Sequence, residues 1–465
     1  MTESLHTIVI QNISPCIQEG EFPAKQVVSE PIVVEADIFT DAHTLIEADL
    51  LYKAPHENEW QSIPFTSIFN DRYRAQFIPF EIGIHSFTIE AWVNEAALWQ
   101  LDFKKKHEAG LDMTPDLLIG HKLLTNLKLE KHAKGLIQKN QSQSIRAALN
   151  PEIRGDARQL KSKSAFKVLN KELQVFVTRK RALFSSWYEF FPRSSSGSLK
   201  HGTFKDVMGL LPDIRNMGFD VLYFPPIHPI GIQKRKGKNN ALQAMPDDPG
   251  SPWAIGSPEG GHDAVHPELG TLKDFDQLIK KASENGLEIA LDIALQCSPD
   301  HPYLKTNPEW FIKRPDGSYQ YAENPPKKYE DIIPFHVTES NQKALFKEIT
   351  RVFLFWLKRG VRIFRIDNPH TKPFSLWKHV IDEVRKVDME VIFLAEAFTR
   401  PKVMRYLAQI GFDQSYTYFT WRNTKYELVE YLTELTKNET RHYFRPNFFV
   451  NTPDILSDAL QMGHI

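Results

Sequence analysis

From residue 185 onward, short apolar segments alternate with longer amphipathic ones, and this alternation limits the possible folds more than any other feature of the chain. The short segments have the length and composition of buried strands: Trp187–Phe191, Val221–Phe224, Glu288–Leu295, Val361–Asp367, Val391–Ala395, Gln414–Tyr418 and Asn447–Val450. The longer segments have the apolar period of helices: Phe204–Met217, Leu272–Asn285, Gln342–Lys358, Phe374–Val387 and Lys402–Ile410. Repeated strand–helix units predict a parallel sheet, either doubly wound or closed into a barrel.

Two connections in this region are much longer than an ordinary strand-to-helix loop. They cover residues 225–270 and 296–341, and each follows the carboxyl end of a predicted strand. Loops of this length are usually functional, and barrel enzymes build their active sites at that end of the strands. No G-x-G-x-x-G or G-x-x-x-x-G-K-[ST] motif follows a strand, so the sequence lacks the phosphate-binding loops of dinucleotide-binding and P-loop proteins.

The first 182 residues differ from the rest of the chain in composition and in the spacing of their apolar segments. Residues 1–105 contain short alternating segments such as Pro31–Phe39, Ala48–Lys53, Tyr73–Pro79 and His85–Val93, separated by turn residues. This spacing predicts an immunoglobulin-like β-sandwich. Residues 106–182 are rich in Leu, Lys, Gln, Ala and Arg, which predicts a helical insert. The remaining residues, 183–465, form the predicted strand–helix domain.

Composition excludes several classes of partner. The 57 lysines and arginines nearly balance 58 aspartates and glutamates, so no net charge favours nucleic acid or an anionic membrane. No uncharged apolar run is long enough to span a bilayer, and the amino terminus lacks the features of a signal peptide. Only two cysteines are present, too few for a disulfide framework. We therefore expect a cytoplasmic protein.

The fourth predicted strand ends in two charged residues that share one face. Side chains of a strand alternate with period two, so Arg365 and Asp367 follow Val361 and Ile363 on the same side. Arg365 would keep the Asp367 carboxylate ionised through charge pairing, as a nucleophile requires. Taken alone, the same pair is better explained as a structural ion pair that closes a loop.

Two further carboxylates follow later strands. Glu396 comes after an apolar strand, where burial should raise its pKa, as a general acid requires. Asp454 follows the last predicted strand. Three carboxylates at the ends of three strands suit a retaining glycosidase-type reaction, which needs a nucleophile and an acid/base.

These motifs resemble glycoside hydrolase family thirteen, the α-amylase clan, over residues 185 to 454. The matching strings are G-G-H-D-A-V-H-P-E-L-G-T (260–271), L-D-I-A-L-Q (291–296), F-R-I-D (364–367), A-E-A (395–397) and T-P-D (452–454). The resemblance implies a (β/α)8-type TIM barrel, with Asp367 as nucleophile, Glu396 as proton donor and Asp454 as transition-state stabiliser.

The departures from the clan are informative. Amylases carry Asn-His after the third-strand aspartate and a His before the third acid, whereas this chain has Gln296, Cys297 and Pro453 at those places. His370 follows Asp367 by three residues, where the hydrolases have a His at four. The missing histidines weaken the interpretation as a starch hydrolase.

The closer resemblance, along nearly the whole chain, is to bacterial α-1,4-glucan:maltose-1-phosphate maltosyltransferases. It depends on R-K-G-K-N-N (235–240), L-Q-C-S-P-D-H-P (295–302), Y-A-E-N-P-P-K-K-Y (321–329) and R-I-D-N-P-H-T-K-P (365–373). It implies a sandwich and a helical insert before the barrel, a homodimer, and contacts to the maltosyl phosphate from Lys236, Gln296, Asp331 and Asn368. An anionic leaving group needs hydrogen-bond donors and positive charge, which Asn324, Lys327, Tyr329 and Asn368 could supply, with Arg365 beside the nucleophile.

The function expected from this resemblance is maltosyl transfer from maltose 1-phosphate to an α-1,4-glucan. No cofactor is implied, and no motif with metal-ligand spacing is present in the sequence. Two alternatives stay open: a glucan hydrolase or branching transferase, and a non-catalytic glycan-binding barrel. Phosphate release from maltose 1-phosphate separates the first alternative from the transferase, and the presence of all three carboxylates argues against the second.

The predicted strands number seven, and only fifteen residues follow Val450. A parallel barrel closes when its last strand pairs with its first. We therefore expect a barrel truncated before strand eight, in a fragment that is poorly active and prone to aggregate because its sheet edges are unpaired.

Overall fold

The computed structural model describes residues 8–41, 44–160 and 167–463. The chain divides into two compact units, Met1–Val177 and Thr178–Ile465. No helix in the described ranges is both long and apolar enough to cross a membrane.

The first unit contains two antiparallel sheets. Its strands are β1 (Ile8–Ser14), β2 (Ala24–Val27), β3 (Ile32–Thr40), β4 (Ile46–Lys53), β5 (Gln61–Pro64), β6 (Thr66–Phe69), β7 (Arg72–Phe77), β8 (Gly83–Val93), β9 (Lys167–Leu169) and β10 (Leu173–Thr178). One sheet has the order β1-β3-β7-β6 and the other β2-β10-β8-β4-β5, with β9 beside β8. Val34, Ala36 and Ile38 of β3 are fully buried at every second position, as the period-two pattern predicts.

Five helices follow the strand β8. They are α1 (Glu95–Glu108), α2 (Thr114–Asn126), α3 (Glu130–Gly135), α4 (Gln141–Ala148) and α5 (Glu152–Gln159). Trp99 and Phe103 of α1 pack in one apolar cluster with Leu117 and Leu124 of α2 and Ile153 of α5. Apolar residues at helical spacing thus bury one face of each helix.

The helical stretch differs from the predicted 106–182 at both ends. The helix α1 already begins at Glu95, where the side chain of Asn94 accepts a hydrogen bond from the amide of Ala97 and caps the helix. After α5 the chain returns to strand, because the second half of Leu173–Thr178 consists of β-branched and aromatic residues and the segment pairs with β8. The composition of residues 106–182 as a whole is that of a helical region, so composition alone does not reveal this strand.

The second unit is built on a parallel sheet of seven strands. They are β11 (Trp187–Glu189), β12 (Val221–Phe224), β13 (Glu288–Ala294), β18 (Ile363–Asp367), β19 (Ile392–Ala395), β20 (Gln414–Tyr416) and β21 (Pro446–Asn447), in that spatial order. The helices between them are α6 (Phe204–Asn216), α7 (Leu272–Glu284), α9 (Gln342–Lys358), α10 (Phe374–Val387), α11 (Pro401–Gln409) and α12 (Lys425–Lys437), with α13 (Asp458–Gln461) last. This order confirms the predicted strand–helix alternation.

The parallel sheet curves around its own interior side chains. Val221 and Tyr223 of β12 form one buried cluster with Ile363 of β18 and Ile392 of β19. Above this layer the guanidinium of Arg365 lies 5.8 Å from the ring of Tyr223 and 5.6 Å from that of Tyr416. One side chain therefore contacts the second and sixth strands of the sheet together, as in the interior of a (β/α) barrel.

Short elements interrupt the long connection between β13 and β18. They are β14 (Gln296–Cys297), α8 (Tyr303–Thr306), the hairpin of β15 (Ala322–Asn324) and β16 (Lys327–Tyr329), and β17 (Ile333–Pro334), which pairs with β14. The connection is thus structured, and its hairpin projects from the carboxyl end of the sheet.

Candidate active site

The guanidinium of Arg365 binds three carboxylates at the carboxyl end of the sheet. Its Nη1 lies 2.8 Å from Asp292 Oδ2 and 3.0 Å from Asp367 Oδ1, and its Nη2 lies 3.0 Å from Glu396 Oε1. Because Asp292 and Arg365 are paired in register on β13 and β18, the sheet itself sets this arrangement. The side chain of Arg365 is only 4% exposed, so the ion pairs are shielded from water.

Asn368 links Asp367 and Glu396, two of the carboxylates that line the cavity. Its backbone is left-handed, with φ 41° and ψ 52°, a conformation that Asn tolerates better than most residues. In this conformation its amide N–H donates to Glu396 Oε2 over 3.1 Å, and its side chain donates to Asp367 Oδ1 over 3.4 Å. The turn after Asp367 therefore fixes the position of Glu396 on the next strand.

Asp292 lies beneath this pair and is fully buried. Its Oδ2 accepts hydrogen bonds from Tyr223 Oη over 2.7 Å and from Trp253 Nε1 over 3.1 Å, in addition to Arg365. Trp253 belongs to the long connection that follows β12. Asp292 thus fastens that connection to the centre of the sheet.

Burial raises the pKa of Glu396 well above that of an ordinary glutamate. The positive charge of Arg365 opposes this effect, and the negative charge of Asp367 adds to it. Burial likewise raises the pKa of Asp292, against the charge of Arg365. Glu396 therefore retains its proton near neutral pH, as a general acid requires.

A cavity of about 1230 Å³ opens above these carboxylates. Its walls come from both long connections and from the turn after β18, and they include Phe191, Arg193, Lys236, Trp253, Gln296, Tyr321, Asn324, Tyr329, Asp331, Phe335, Asn368, Lys372, Asp367, Glu396 and Asp454. Residues of both long connections thus line one cavity at the carboxyl end of the sheet, as predicted, and the site itself stays a prediction.

Nine of the eleven predicted site residues line the cavity. They are Asp367, Glu396, Asp454, Lys236, Gln296, Asp331, Asn324, Tyr329 and Asn368. The other two lie elsewhere. Arg365 lies below the floor and contacts the carboxylates, and Lys327 is exposed on the hairpin, outside the lining.

Lys236 and Asp331 form a buried polar pair on the cavity wall. Both side chains are almost completely buried, and the charge of Lys236 partly offsets the effect of burial, which raises the pKa of Asp331. Asp331 Oδ1 accepts no hydrogen bond from any described residue. A buried acceptor without a hydrogen-bond donor disfavours the ionised carboxylate, in line with the raised pKa of Asp331.

A chain of hydrogen bonds supports the strand end beside Asp367. Tyr303 N–H donates to His301 Nδ1 over 3.0 Å, so His301 Nε2 carries the proton and donates to His262 Nδ1 over 3.1 Å. His262 Nε2 then donates to the carbonyl of Ala294 over 2.9 Å, and Ala294 is the register partner of Asp367. Burial lowers the pKa of both histidines and keeps them neutral.

Two groups of described side chains come close enough to hold a metal ion. They are His262, Cys297 and His301, and the more exposed His201, His266 and Glu268. In the first group the two imidazoles already satisfy one another through the chain of hydrogen bonds. The proximity of these two histidines is therefore explained without an ion.

The family model for the N/S domain of α-1,4-glucan:maltose-1-phosphate maltosyltransferase matches residues 6–179. A maltosyltransferase of that name from Chlorobaculum tepidum is 50% identical over 467 aligned residues, covering 98% of this chain and 70% of the relative. The chain belongs to this family. The maltosyltransferase of Methylacidiphilum infernorum is 47% identical and is covered to the same extent.

Solved structures similar to this maltosyltransferase family member include amylases. An α-amylase from Lactobacillus plantarum is 26% identical with a TM-score of 0.44, and the match covers 55% of this chain and 60% of the amylase. A maltogenic α-amylase from Thermotoga neapolitana is 23% identical with a TM-score of 0.43, covering 54% and 55%.

Two charged residues near the site, Glu189 and Lys372, were not predicted from the sequence. Glu189 ends β11, and burial raises its pKa to about 7, opposed by Arg365 and reinforced by Asp292 and Asp454. Lys372 lines the cavity, and burial lowers its pKa to about 8, while the charge of Asp367 opposes that shift. Glu189 could have been predicted, because it is a carboxylate at the end of a strand. No spacing rule predicts Lys372.

The raised pKa of Glu189 predicts a pH-dependent effect of Glu189→Gln. Between pH 4.5, the ordinary pKa of Glu, and about 7, the folded protein holds a proton that the unfolded chain releases. The free energy of unfolding of the parent therefore decreases as pH rises through this window. Glutamine does not titrate, so the variant lacks this decrease. We expect the variant to gain about 1–3 kcal/mol relative to the parent between about pH 5 and 8.

Urea unfolding at several pH values measures this gain. Glu284→Gln is the matched control, because hydrogen bonding to Lys281 lowers the pKa of Glu284 and predicts a trend of opposite sign. A difference between Glu189→Gln and the parent that is the same at every pH would contradict the assignment.

Proposed function

We propose that this chain transfers maltosyl units from α-maltose 1-phosphate to the non-reducing end of an α-1,4-glucan, with retention and with release of phosphate. Its membership of the maltosyltransferase family supports the substrates. The observation that carries the chemistry is the single guanidinium of Arg365, which holds Asp367 and Glu396 on adjacent strands at the floor of a large cavity.

In the first step Asp367 acts as the nucleophile. A carboxylate oxygen attacks the anomeric carbon, the bond from that carbon to the phosphate oxygen breaks, and the electron pair leaves with the phosphate. Glu396 gives its proton to the departing oxygen, so that phosphate leaves as hydrogen phosphate. The product on the enzyme is a β-maltosyl ester of Asp367, and Asp454 on the cavity wall stabilises the positive charge that develops on the sugar.

In the second step Glu396 acts as the base. It takes the proton of the 4-hydroxyl of the glucan end while that oxygen attacks the anomeric carbon and the ester bond to Asp367 breaks. The charge of Asp367 contributes to the raised pKa of Glu396. Formation of the ester removes that charge, so the pKa of Glu396 falls when the residue must accept a proton.

The cavity has the charge that a phosphate donor requires. Its floor is acidic, but Arg193, Lys236, Lys238 and Lys372 line its walls. Lys327 and Tyr329 share one face of the two-stranded hairpin because they are two residues apart on β16, and Tyr329 reaches the lining. This shared face supports the proposal that Lys327 meets the anion at the cavity mouth, with Asn324, Gln296 and Asn368 as hydrogen-bond donors.

The same proposal extends to the rest of the molecule. The two antiparallel sheets of the first unit would form a β-sandwich, and its helices a dimerisation segment of a homodimer that works in the cytoplasm. Alternating burial along β3 supports the sandwich, and the two cysteines of the chain suit a reducing compartment.

Phosphate release tests the function directly. With maltose 1-phosphate and glycogen we expect one inorganic phosphate for each maltosyl unit added to the glucan, and we expect neither phosphate nor longer chains from glycogen alone. Rearranged or shortened glycogen without the donor would instead indicate a hydrolase or branching transferase, and binding without turnover would indicate a glycan-binding protein.

Substitutions of the two central carboxylates separate their roles. Asp367→Ala should abolish transfer and phosphate release without unfolding the protein. Glu396→Ala should lose transfer by about a thousandfold yet accumulate maltosyl-enzyme, because phosphate leaves with little protonation while the acceptor needs a base. Mass spectrometry of intact Glu396→Ala after donor addition detects the adduct; full activity without an adduct would disprove these roles.

The hairpin lysines test the phosphate contact. Lys327→Ala should reduce kcat/KM for maltose 1-phosphate about 10–100-fold more than for α-maltosyl fluoride, because only the first donor carries the anion that Lys327 would bind. Lys328→Ala is the matched control, since Lys328 lies on the opposite face of β16. Equal losses with the two donors, or equal effects of the two substitutions, would remove Lys327 from the phosphate site.

A further inference from the structure

The aromatic side chains of the cavity differ in how much ring surface they offer to a sugar. Trp253 is tied to Asp292 at the floor, Phe335 is buried, and Phe191 lies against Trp253 and under the guanidinium of Arg193. Tyr321 is half-buried, as Phe191, Trp253 and Tyr329 also are, and it directly precedes the exposed two-stranded hairpin. Its ring therefore lies on the wall near the cavity mouth.

The orientation of the Tyr321 ring is fixed by Arg314. The guanidinium carbon of Arg314 lies 3.9 Å from the ring centroid, so one face of the ring is covered. Arg314 is itself held by Gln320 Oε1 at 3.0 Å and by Glu323 Oε1 at 3.4 Å. Gln320 Nε2 also donates to Glu323 Oε1 over 2.9 Å, which closes the cluster. Such a ring loses little conformational freedom when a ligand stacks on its other face.

The proposed reaction places the acceptor at the mouth. The sugar that reacts must lie at the floor, between Asp367 and Glu396. The acceptor glucan places only its terminal 4-hydroxyl there, and the rest of the polymer must run outward to solvent. A wall residue near the mouth thus meets the acceptor, while the floor meets the donor.

We propose that Tyr321, backed by Arg314, is the stacking platform for a glucosyl unit of the acceptor glucan and makes longer glucans better acceptors than water. This inference rests on the proposed function and adds the residue that selects the acceptor. The C–H face of a pyranose ring is apolar with slight positive charge and packs on the negative face of an aromatic ring. Contacts of this size change affinity by about 3–10-fold.

Calorimetric titration with maltohexaose tests the platform without any donor. Tyr321→Ala and Tyr321→Leu should each weaken the Kd for maltohexaose by about 3–10-fold. Tyr321→Phe, which keeps the ring, should bind within about twofold of the parent. Tyr426→Ala is the control for unspecific stacking, because Tyr426 is 74% exposed and lies outside the cavity lining. Thermal unfolding of each variant confirms that it is folded.

Transfer kinetics supply the second measurement. Tyr321→Ala should raise KM for the glucan and the share of donor lost to water, and leave KM for maltose 1-phosphate unchanged. An unchanged Kd for maltohexaose in both Tyr321→Ala and Tyr321→Leu, a loss shared by Tyr426→Ala, or a rise confined to the donor KM would each overturn the platform. A parent that binds maltohexaose through Tyr321 but releases no phosphate from the donor would refute the proposed function alone.

Discussion

The buried guanidinium of Arg365 is the interaction on which the rest of the site depends. Asp292, Asp367 and Glu396 converge at the carboxyl ends of three adjacent strands, where burial and the charge of Asp367 raise the pKa of both Asp292 and Glu396 and the central cation opposes these shifts. One guanidinium offers its donors in a planar fork, so it can hold three carboxylates in fixed directions. Lysine would neutralise the same charge without fixing those directions.

Hydrogen bonds from residues farther from the cavity hold this centre in place. The imidazoles of His301 and His262 hold the carbonyl of Ala294, which pairs in register with Asp367. A Cβ at Gly256 or Gly261 would come within 2.3 or 2.4 Å of the His301 ring, so these positions leave room for it. The irregular connections can therefore form the cavity walls because their bases are fastened to the sheet.

Much of this arrangement could be predicted from the sequence, because strand ends obey simple rules. Period-two alternation placed Arg365 beside Asp367, and an apolar strand before Glu396 indicated a buried carboxyl group. The sharing of Arg365 by Asp292 and Glu396 could not be predicted, since it depends on register between strands that lie far apart in sequence. Likewise Leu173–Thr178 forms a strand between β2 and β8, and this pairing joins segments that lie far apart in the sequence.

The turn at Asn368 restricts how this site can change by mutation. One residue supplies a left-handed backbone, the amide that orients Glu396 and a side chain on the cavity wall. Most replacements that alter the side chain would also strain the backbone, and glycine would keep the turn but discard the side chain. A library at this position would therefore return few folded, well-ordered variants, whereas the exposed residues of the hairpin tolerate replacement without this strain.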